Sequence, residues 1–187
     1  ILMNFGVFNY QRGYLDDAVG QYNRGVGIFA SFGNKHEYGL MLNNLGEVLT
    51  QLSIFDEAIK YLNEARSIFR MLNNNEEEAE VIFTLGKLYY FLGDNDALSK
   101  LKLEYQNFIN KAVLSDRHYN NFNCISFLTD SGKSDLSEWL VESRRIRDSY
   151  IELEDKPNSV RMTFHIINTL LEAEMFNEVY TELNSKT

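Results

Sequence analysis

The chain has 187 residues but only one proline, one cysteine and no long apolar run. Because proline interrupts helices, its scarcity leaves room for long uninterrupted helices. The lone Cys124 cannot form a disulfide within the chain, which fits a protein of the reducing cytoplasm. No apolar stretch approaches the roughly 18 residues that a membrane-spanning helix requires. We therefore expect a cytoplasmic protein with no membrane partner.

Basic residues are fewer than acidic ones: the chain has 18 Lys and Arg and 27 Asp and Glu, which gives a net charge of −9. Nucleic acids are bound without sequence preference mainly by cations that neutralise phosphates, so this balance argues against a nucleic-acid partner. The content of 44% hydrophobic residues is that of an ordinary globular protein. The chain begins with "ILMNFGVFNY" and stops inside a helical pattern at "TELNSKT". From these ends we expect a piece of a longer protein.

Residues that commonly carry catalysis or hold metals are sparse. His36, His118 and His165 are far apart, and no His or Cys pair has the spacing of metal ligands. No Ser, Cys or carboxylate lies in a recognisable nucleophile motif. The stretch "DSGKSD" ends like a phosphate-binding loop, but the earlier glycine of that motif falls on Phe127. We therefore expect no enzyme, no cofactor and no metal site, and interpret "DSGKSD" as a polar turn.

What the chain has instead is an internal repeat. Gly6, Gly46 and Gly86 are 40 residues apart, and each follows an apolar residue. Between them, apolar residues recur three or four positions apart, which indicates helices with one buried face. Examples in the second unit are Leu42, Leu45, Leu49 and Leu52, followed by Ile54, Ala58, Leu62 and Ala65.

The residue pattern of each unit therefore predicts two antiparallel helices joined by a tight turn. Helix axes approach to about 8–10 Å only where one side lacks a bulky side chain. Gly46 on the first helix and Ala58 on the second would allow that approach. A glycine inside a helix costs roughly 0.5–1 kcal/mol relative to alanine. Three glycines in phase therefore indicate close packing that offsets this cost.

The second unit resembles the tetratricopeptide repeat, whose pattern is an apolar residue, Leu-Gly, a large residue, Ala, an aromatic residue or Leu, and Ala. The matching residues are Leu42, Leu45, Gly46, Leu49, Ala58, Leu62 and Ala65. The first unit keeps Gly6 and Ala18, while the third keeps Gly86 but has Ala97 one residue early. The fourth unit places either Ile125 or Ser126 at the glycine position. The fifth keeps Ile166, Leu170, Val179 and Leu183, with Ile167 in place of the glycine.

The resemblance implies an all-α solenoid of about five antiparallel helical hairpins wound into a right-handed superhelix. We expect a single array over 1–187, with units at about 1–33, 34–73, 74–114, 115–156 and 157–187. The 40-residue period is longer than the usual 34. It is similar to the longer-helix branch of the family, to which kinesin light chains and bacterial regulators of the MalT type belong.

In the family, the first helix of each hairpin lines the concave surface, and an Asn two residues before the glycine can hold the backbone of an extended peptide. A carboxamide offers both a donor and an acceptor for this purpose. The corresponding residues here are Asn4, Asn44, Thr84, Asn123 or Cys124, and His165. Neighbouring groove candidates are Tyr10, Asn43, Glu47, Phe83, Lys87, Tyr90, Phe122 and Phe164.

Three charged or aromatic features are interpreted as parts of the fold and not as binding sites. The run "EEEAE" from Glu76 to Glu80 is expected to open a helix, because carboxylates favour its N-terminal end. The segment "ESRRIRDSY" is expected to form a solvated face, since acids alternate with its arginines. Trp139 is expected in the core.

The resemblance implies a non-enzymatic scaffold that binds a peptide or protein segment in its groove, as the sensor part of a bacterial regulator. Two alternatives remain open at this point. One is a small-molecule or oligosaccharide sensor that uses the groove aromatics. The other is an oligomerisation module that associates with itself through the ends of the solenoid.

Overall fold

Five successive helices begin at intervals of 20 residues. The computed structural model describes residues 2–130, 136–155, 158–159, 162–163, 166 and 175–184, and these residues contain helices and no strand. The helices are α1 (Leu2–Gln11), α2 (Leu15–Phe32), α3 (Lys35–Gln51), α4 (Phe55–Met71), α5 (Asn75–Leu92), α6 (Asn95–Ile109), α7 (Asp116–Asp130), α8 (Leu136–Glu152) and α9 (Phe176–Asn184). The helical architecture confirms the predicted all-α class.

The regular spacing comes from the turns. One residue in each turn from α1 to α6 has a left-handed backbone, with φ between 53° and 78°. These residues are Gly13, Gly33, Ser53, Asn73 and Gly93. After each of them, the next backbone amide donates to a carbonyl five residues back, as Ile54 does to Leu49 at 2.9 Å. This helix-ending motif stops each helix after nearly the same length.

The chain divides into two compact units, Ile1–Leu114 and Ser115–Thr187. In the first unit, α1 packs on α2, α3 on α4 and α5 on α6, and each hairpin also packs on the next through α2–α3 and α4–α5. The core between them is apolar, with Leu42, Leu62 and Leu85 fully buried. The division of the whole chain into one array of five hairpins stays a prediction.

Gly6 and Gly46 lie at close contacts between paired helices, as predicted for Gly46. A methyl group on Gly46 would lie 2.5 Å from Cγ of Leu62 and 3.4 Å from the carbonyl oxygen of Ala58 on α4. One on Gly6 would overlap the ring of Tyr22 on α2. In the third hairpin the small residue is missing, because the fully buried Leu98 takes the position of Ala58. Its second helix nevertheless forms as α6.

In the second unit, α7 packs on α8. Trp139 is buried, as predicted, and its ring centroid is 5.2 Å from that of Phe127. The hydroxyl of Tyr150 donates to Oδ1 of Asn121 at 3.0 Å, so this core contains a polar contact. Ile125 is fully buried, while Ser126 is half-buried.

The expectation of a solvated face in the second unit is wrong in part. Leu183, a residue of the fifth unit's apolar pattern, is 64% exposed, whereas the adjacent Glu182 is buried. Glu182 accepts hydrogen bonds from Arg144 and Arg147 of α8. Arg147 is itself buried, so the segment "ESRRIRDSY" is not a fully solvated face. A carboxylate with two guanidinium partners can be buried where an unpaired one cannot.

The acidic run opens α5, as predicted, with Glu76, Glu77 and Glu78 in its first turn. Of the fifth unit's pattern, Ile166 is fully buried, while Ile167 and Leu170 lie outside the described residues. Within the described ranges, no helix combines the length and the apolar character needed to cross a bilayer.

Gly46→Ala should lower the free energy of unfolding by about 1–3 kcal/mol, because its methyl group has no room beside the buried Leu62. Gly27→Ala is the matched control, since nothing lies within 4 Å of the added methyl group in α2. Alanine there should raise the free energy of unfolding by about 0.5–1 kcal/mol. Urea unfolding followed by circular dichroism measures both. Equal stability of the two variants would contradict the contact assigned to Gly46.

Ser53→Gly should raise the free energy of unfolding by about 0.5–1 kcal/mol, because Ser53 holds φ at 60° and glycine adopts that region without steric cost. Ser67→Gly in the exposed middle of α4 should instead lower it by about 0.5 kcal/mol. The same unfolding experiment compares them. A loss of stability in Ser53→Gly would show that the left-handed turn is not the ground state.

Candidate functional site

Polar pairs join the first helices of the three hairpins in the first unit. The Gln51 amide of α3 donates to the Tyr10 hydroxyl of α1 at 2.5 Å. Lys87 of α5 lies 2.9 Å from Oε1 of Glu47 of α3. These contacts place α1, α3 and α5 side by side. The surface that they form together is called the first-helix face below.

The Glu47–Lys87 pair lies near the middle of the first-helix face. Both side chains are partly buried, and the Lys87 ammonium is also 4.9 Å from the centroid of the Phe83 ring. A cation over an aromatic face gains electrostatic attraction in addition to its ion pair. The pair therefore holds both charged groups in fixed places on the surface. At the start of α3, His36 makes a similar cross-helix contact, with Nε2 3.4 Å from Oε1 of Glu77.

Asn4 and Asn44 are accessible and occupy equivalent positions in α1 and α3. Asn4 is exposed and Asn44 is half-buried. Among the residues that the structure describes, neither carboxamide makes a side-chain hydrogen bond. Both amides therefore have their donor and acceptor groups available to a ligand.

For three residues, the prediction that they line the groove is wrong, because the structure buries them. Phe83 and Thr84 are each 2% exposed, and Asn43 is 8% exposed, so none of them lines an open surface. The Thr84 hydroxyl donates to the Glu80 carbonyl of its own helix at 3.1 Å, as short hydroxylated side chains in helices often do. Asn43 precedes the accessible Asn44 by one residue, which turns its side chain about 100° toward the core.

Tyr90 remains on the surface of α5, half-buried, with its ring centroid 6.3 Å from that of Phe91. Asn123 and Phe122 belong to α7 in the second unit and are also half-buried. Cys124 is buried, so Asn123 is the accessible residue of the two alternatives. His165 and Phe164 lie outside the described residues.

Asn123 also lines a cavity of about 590 Å³ between α7 and α8. Phe127 and Trp139 form its apolar wall, and Glu138 and Glu142 contribute carboxylates. The Glu142 carboxylate accepts hydrogen bonds from Arg145, which lowers its pKa.

Two polar clusters that join α4 to a first helix, one to α3 and one to α5, were not predicted. The Tyr38 hydroxyl donates to Oε1 of Glu64 at 2.7 Å, and this hydrogen bond, with some burial, raises the pKa of Tyr38 to about 12. Near the start of α5, Glu78 is almost completely buried beside Arg66 and Arg70. Comparison of positions 40 residues apart could have found this cluster, because Glu78 takes the place of Tyr38.

Both clusters are ion pairs or hydrogen bonds with a clear structural role, and neither contains a reactive nucleophile. Burial also raises the pKa of Tyr22 and Tyr105. These phenols therefore stay protonated at neutral pH. Within the described residues, no group of three or more His, Cys, Asp or Glu could hold a metal ion.

Comparison with known proteins agrees with the hairpin architecture. Residues 37–97, which contain most of α3, all of α4 and α5 and the start of α6, match the tetratricopeptide repeat family. The chain is also similar to the Tonsoku-like protein of Drosophila melanogaster, with 32% identity over 116 residues. That match covers 58% of this chain but only 8% of the relative.

These matches leave the finer branch untested, so the likeness to kinesin light chains and MalT-type regulators stays a prediction. The matched residues include most of the hairpin in which Gly46 contacts Leu62. Residues 37–97 therefore resemble tetratricopeptide repeats in both sequence and helical structure.

Proposed function

We propose that this chain is a non-enzymatic scaffold that binds an extended peptide or protein segment along its first-helix face. Tetratricopeptide repeats in general mediate interactions between proteins. The choice of this face rests on Asn44, which is accessible and makes no side-chain hydrogen bond within the described part of the chain. Its role as the sensor part of a bacterial regulator stays a prediction.

The chemistry of Asn44 suits the backbone of a ligand. Its carboxamide can accept from a peptide N–H and donate to a peptide C=O, which pairs both polar groups of one residue. Asn4, at the equivalent position of α1, offers the same pair one repeat away. Two amides in register on neighbouring helices would hold an extended strand without regard to its side chains.

The charged and aromatic groups beside Asn44 would set the preference among ligand side chains. Glu47 and Lys87 neutralise each other across α3 and α5, so a ligand charge of either sign would have to compete with this pair. Tyr90, one turn further along α5, offers an aromatic surface. We therefore expect Lys87 and Tyr90 to affect specificity more than total affinity.

Asn44→Ala should weaken the binding of a selected peptide by about 1–3 kcal/mol, because polar groups of the bound peptide lose their partner. Folding should be unchanged, since the side chain is outside the core. The measurement is calorimetric titration with peptides recovered by display selection on the wild-type chain. Asn23→Ala on the exposed side of α2 is the matched control, and its affinity should equal that of wild type.

Asn4→Ala should weaken binding in the same direction. If Asn44→Ala, Asn4→Ala and Asn23→Ala all bind the peptide as wild type does, the first-helix face is not the site. Hydrogen-exchange protection confined to α2, α4 and α6 in the presence of peptide would contradict the proposal in the same way.

A second function, self-association through α1, is favoured by two exposed aromatic residues. Phe5 is 57% exposed and Phe8 is 51% exposed. Their equivalents 40 and 80 residues later are all buried: Leu45, Val48, Leu85 and Leu88. In α3 and α5 the same positions are covered by neighbouring helices, whereas no described helix covers this side of α1.

Replacing Phe5 and Phe8 together by Gln should weaken self-association at least about tenfold, because two aromatic side chains would no longer be removed from water. Sedimentation over a range of protein concentrations measures the change. Phe32→Gln is the control, since Phe32 is an exposed aromatic at the far end of α2. A wild-type chain that stays monomeric at every concentration would reject this second function.

A further inference from the structure

The second helices of neighbouring hairpins pack differently at two equivalent places in the first unit. Between α2 and α4, three positions carry the apolar residues Val26, Ala30 and Met71. Forty residues later, beside α4 and α6, the same positions carry the cations Arg66, Arg70 and Lys111. The repeat therefore gains three positive charges in one place, with Lys111 two residues beyond the end of α6.

The two arginines do not stand alone. Arg70 donates from Nε and Nη2 to Oε1 of Glu78, at 3.0 and 2.7 Å. Arg66 donates from Nη2 to Glu104 at 2.9 Å and has Nε 3.6 Å from Glu78. Glu78 is buried, with a side chain that is 5% exposed. These two cations and two carboxylates neutralise each other and form the floor of a cavity.

This cavity, called the α4–α6 cavity, has a volume of about 560 Å³. In addition to the four charged residues, it is lined by Asn75, Asn107, Phe108, Lys111 and Ala112. At the equivalent place between α2 and α4, Tyr38 replaces Glu78 and its hydroxyl bonds to Glu64. The charge of the lining therefore differs between the two equivalent places.

One cation remains uncompensated in the α4–α6 cavity. Lys111 is exposed and forms no ion pair with any described residue. Arg70 is 63% exposed, and two of its five N–H groups are used on Glu78. With three cations and two carboxylates, the lining carries one net positive charge on a chain whose total charge is −9.

We propose that the α4–α6 cavity is a second interaction surface, which binds an acidic peptide segment of a partner protein through one Asp or Glu side chain. The carboxylate would lie between the Lys111 ammonium and the unused N–H groups of Arg70, because guanidinium and carboxylate form strong charge-assisted hydrogen bonds. An apolar residue next to it would cover Phe108 and Ala112. One carboxylate completes the neutralisation of the lining.

The charge count favours a carboxylate over a phosphate. A phosphate group carries up to two negative charges, which is more than the single uncompensated cation can balance. The second charge of a phosphate would be repelled by the carboxylates of Glu78 and Glu104, which lie in the same lining. A nucleic acid would bring a series of phosphates to this lining, whereas a peptide can bring a single carboxylate, so the charge count favours an acidic peptide.

The test is a ¹H–¹⁵N NMR titration of the whole chain with an acetylated, amidated peptide of alternating Glu and Leu. Chemical shifts should change along α4 and α6 around the cavity. Lys111→Met, which restores the residue type of Met71, should weaken binding about three- to fivefold, as expected for an exposed ion pair. Lys111→Glu should weaken it more than about tenfold. Lys100→Met on the exposed side of α6 is the control with the same change in charge and should bind as wild type does.

Three results would overturn the proposal: equal binding of the peptide with Gln in place of Glu, equal affinities of Lys111→Met and Lys100→Met, or binding of a phosphate-bearing oligonucleotide in place of the peptide. The Asn44→Ala variant distinguishes binding at the α4–α6 cavity from binding at the first-helix face. It should leave the binding of the acidic peptide unchanged, and a loss of binding in that variant would place the peptide elsewhere.

Discussion

The paired helices of the first two hairpins can approach closely because a side chain is absent where they make contact. Gly46 leaves the space that the buried Leu62 fills, and Gly6 does the same for Tyr22. This contact also fixes the rotation of α3 about its axis. Since each residue turns the helix by about 100°, Asn44, two positions before Gly46, points well away from α4. The accessible amides on the first-helix face are thus a geometric result of the packing on its other side.

The hairpins could be predicted because their signal is local. A glycine, an alanine 12 residues later and apolar residues at helical spacing lie within one unit, and the structure places Gly46 and Ala58 as that pattern requires. The 20-residue interval between helices was not predicted, because Ser53 and Asn73 hold the left-handed turn positions where other turns have glycine. Leu98 shows the opposite case: a large residue in the small-residue position did not prevent the second helix of that hairpin.

The candidate site was predicted only in part, since exposure depends on neighbours that sequence spacing does not reveal. Asn44 and Thr84 share a register, yet Asn44 is accessible while Thr84 is buried with its hydroxyl bonded to its own helix. The buried carboxylates show the same limit. Glu78 belongs to an acidic run typical of a helix start, but the turn before α5 brings it against Arg70 of α4. A charge run in the sequence does not show which of its members will lose contact with water.

The equal spacing of helix starts from Leu15 to Asn95 limits how this chain can change in length. One residue inserted in the middle of α3 would rotate the rest of that helix by about 100° and bring polar side chains to face α4. The turns are equally constrained, because each contains one left-handed residue and a set hydrogen bond. Regularity ends after α6, where Asn110 has a right-handed backbone and the first unit closes at Leu114. Insertions and deletions in related chains should therefore be found at 110–115, and elsewhere in the first unit only as whole helical hairpins.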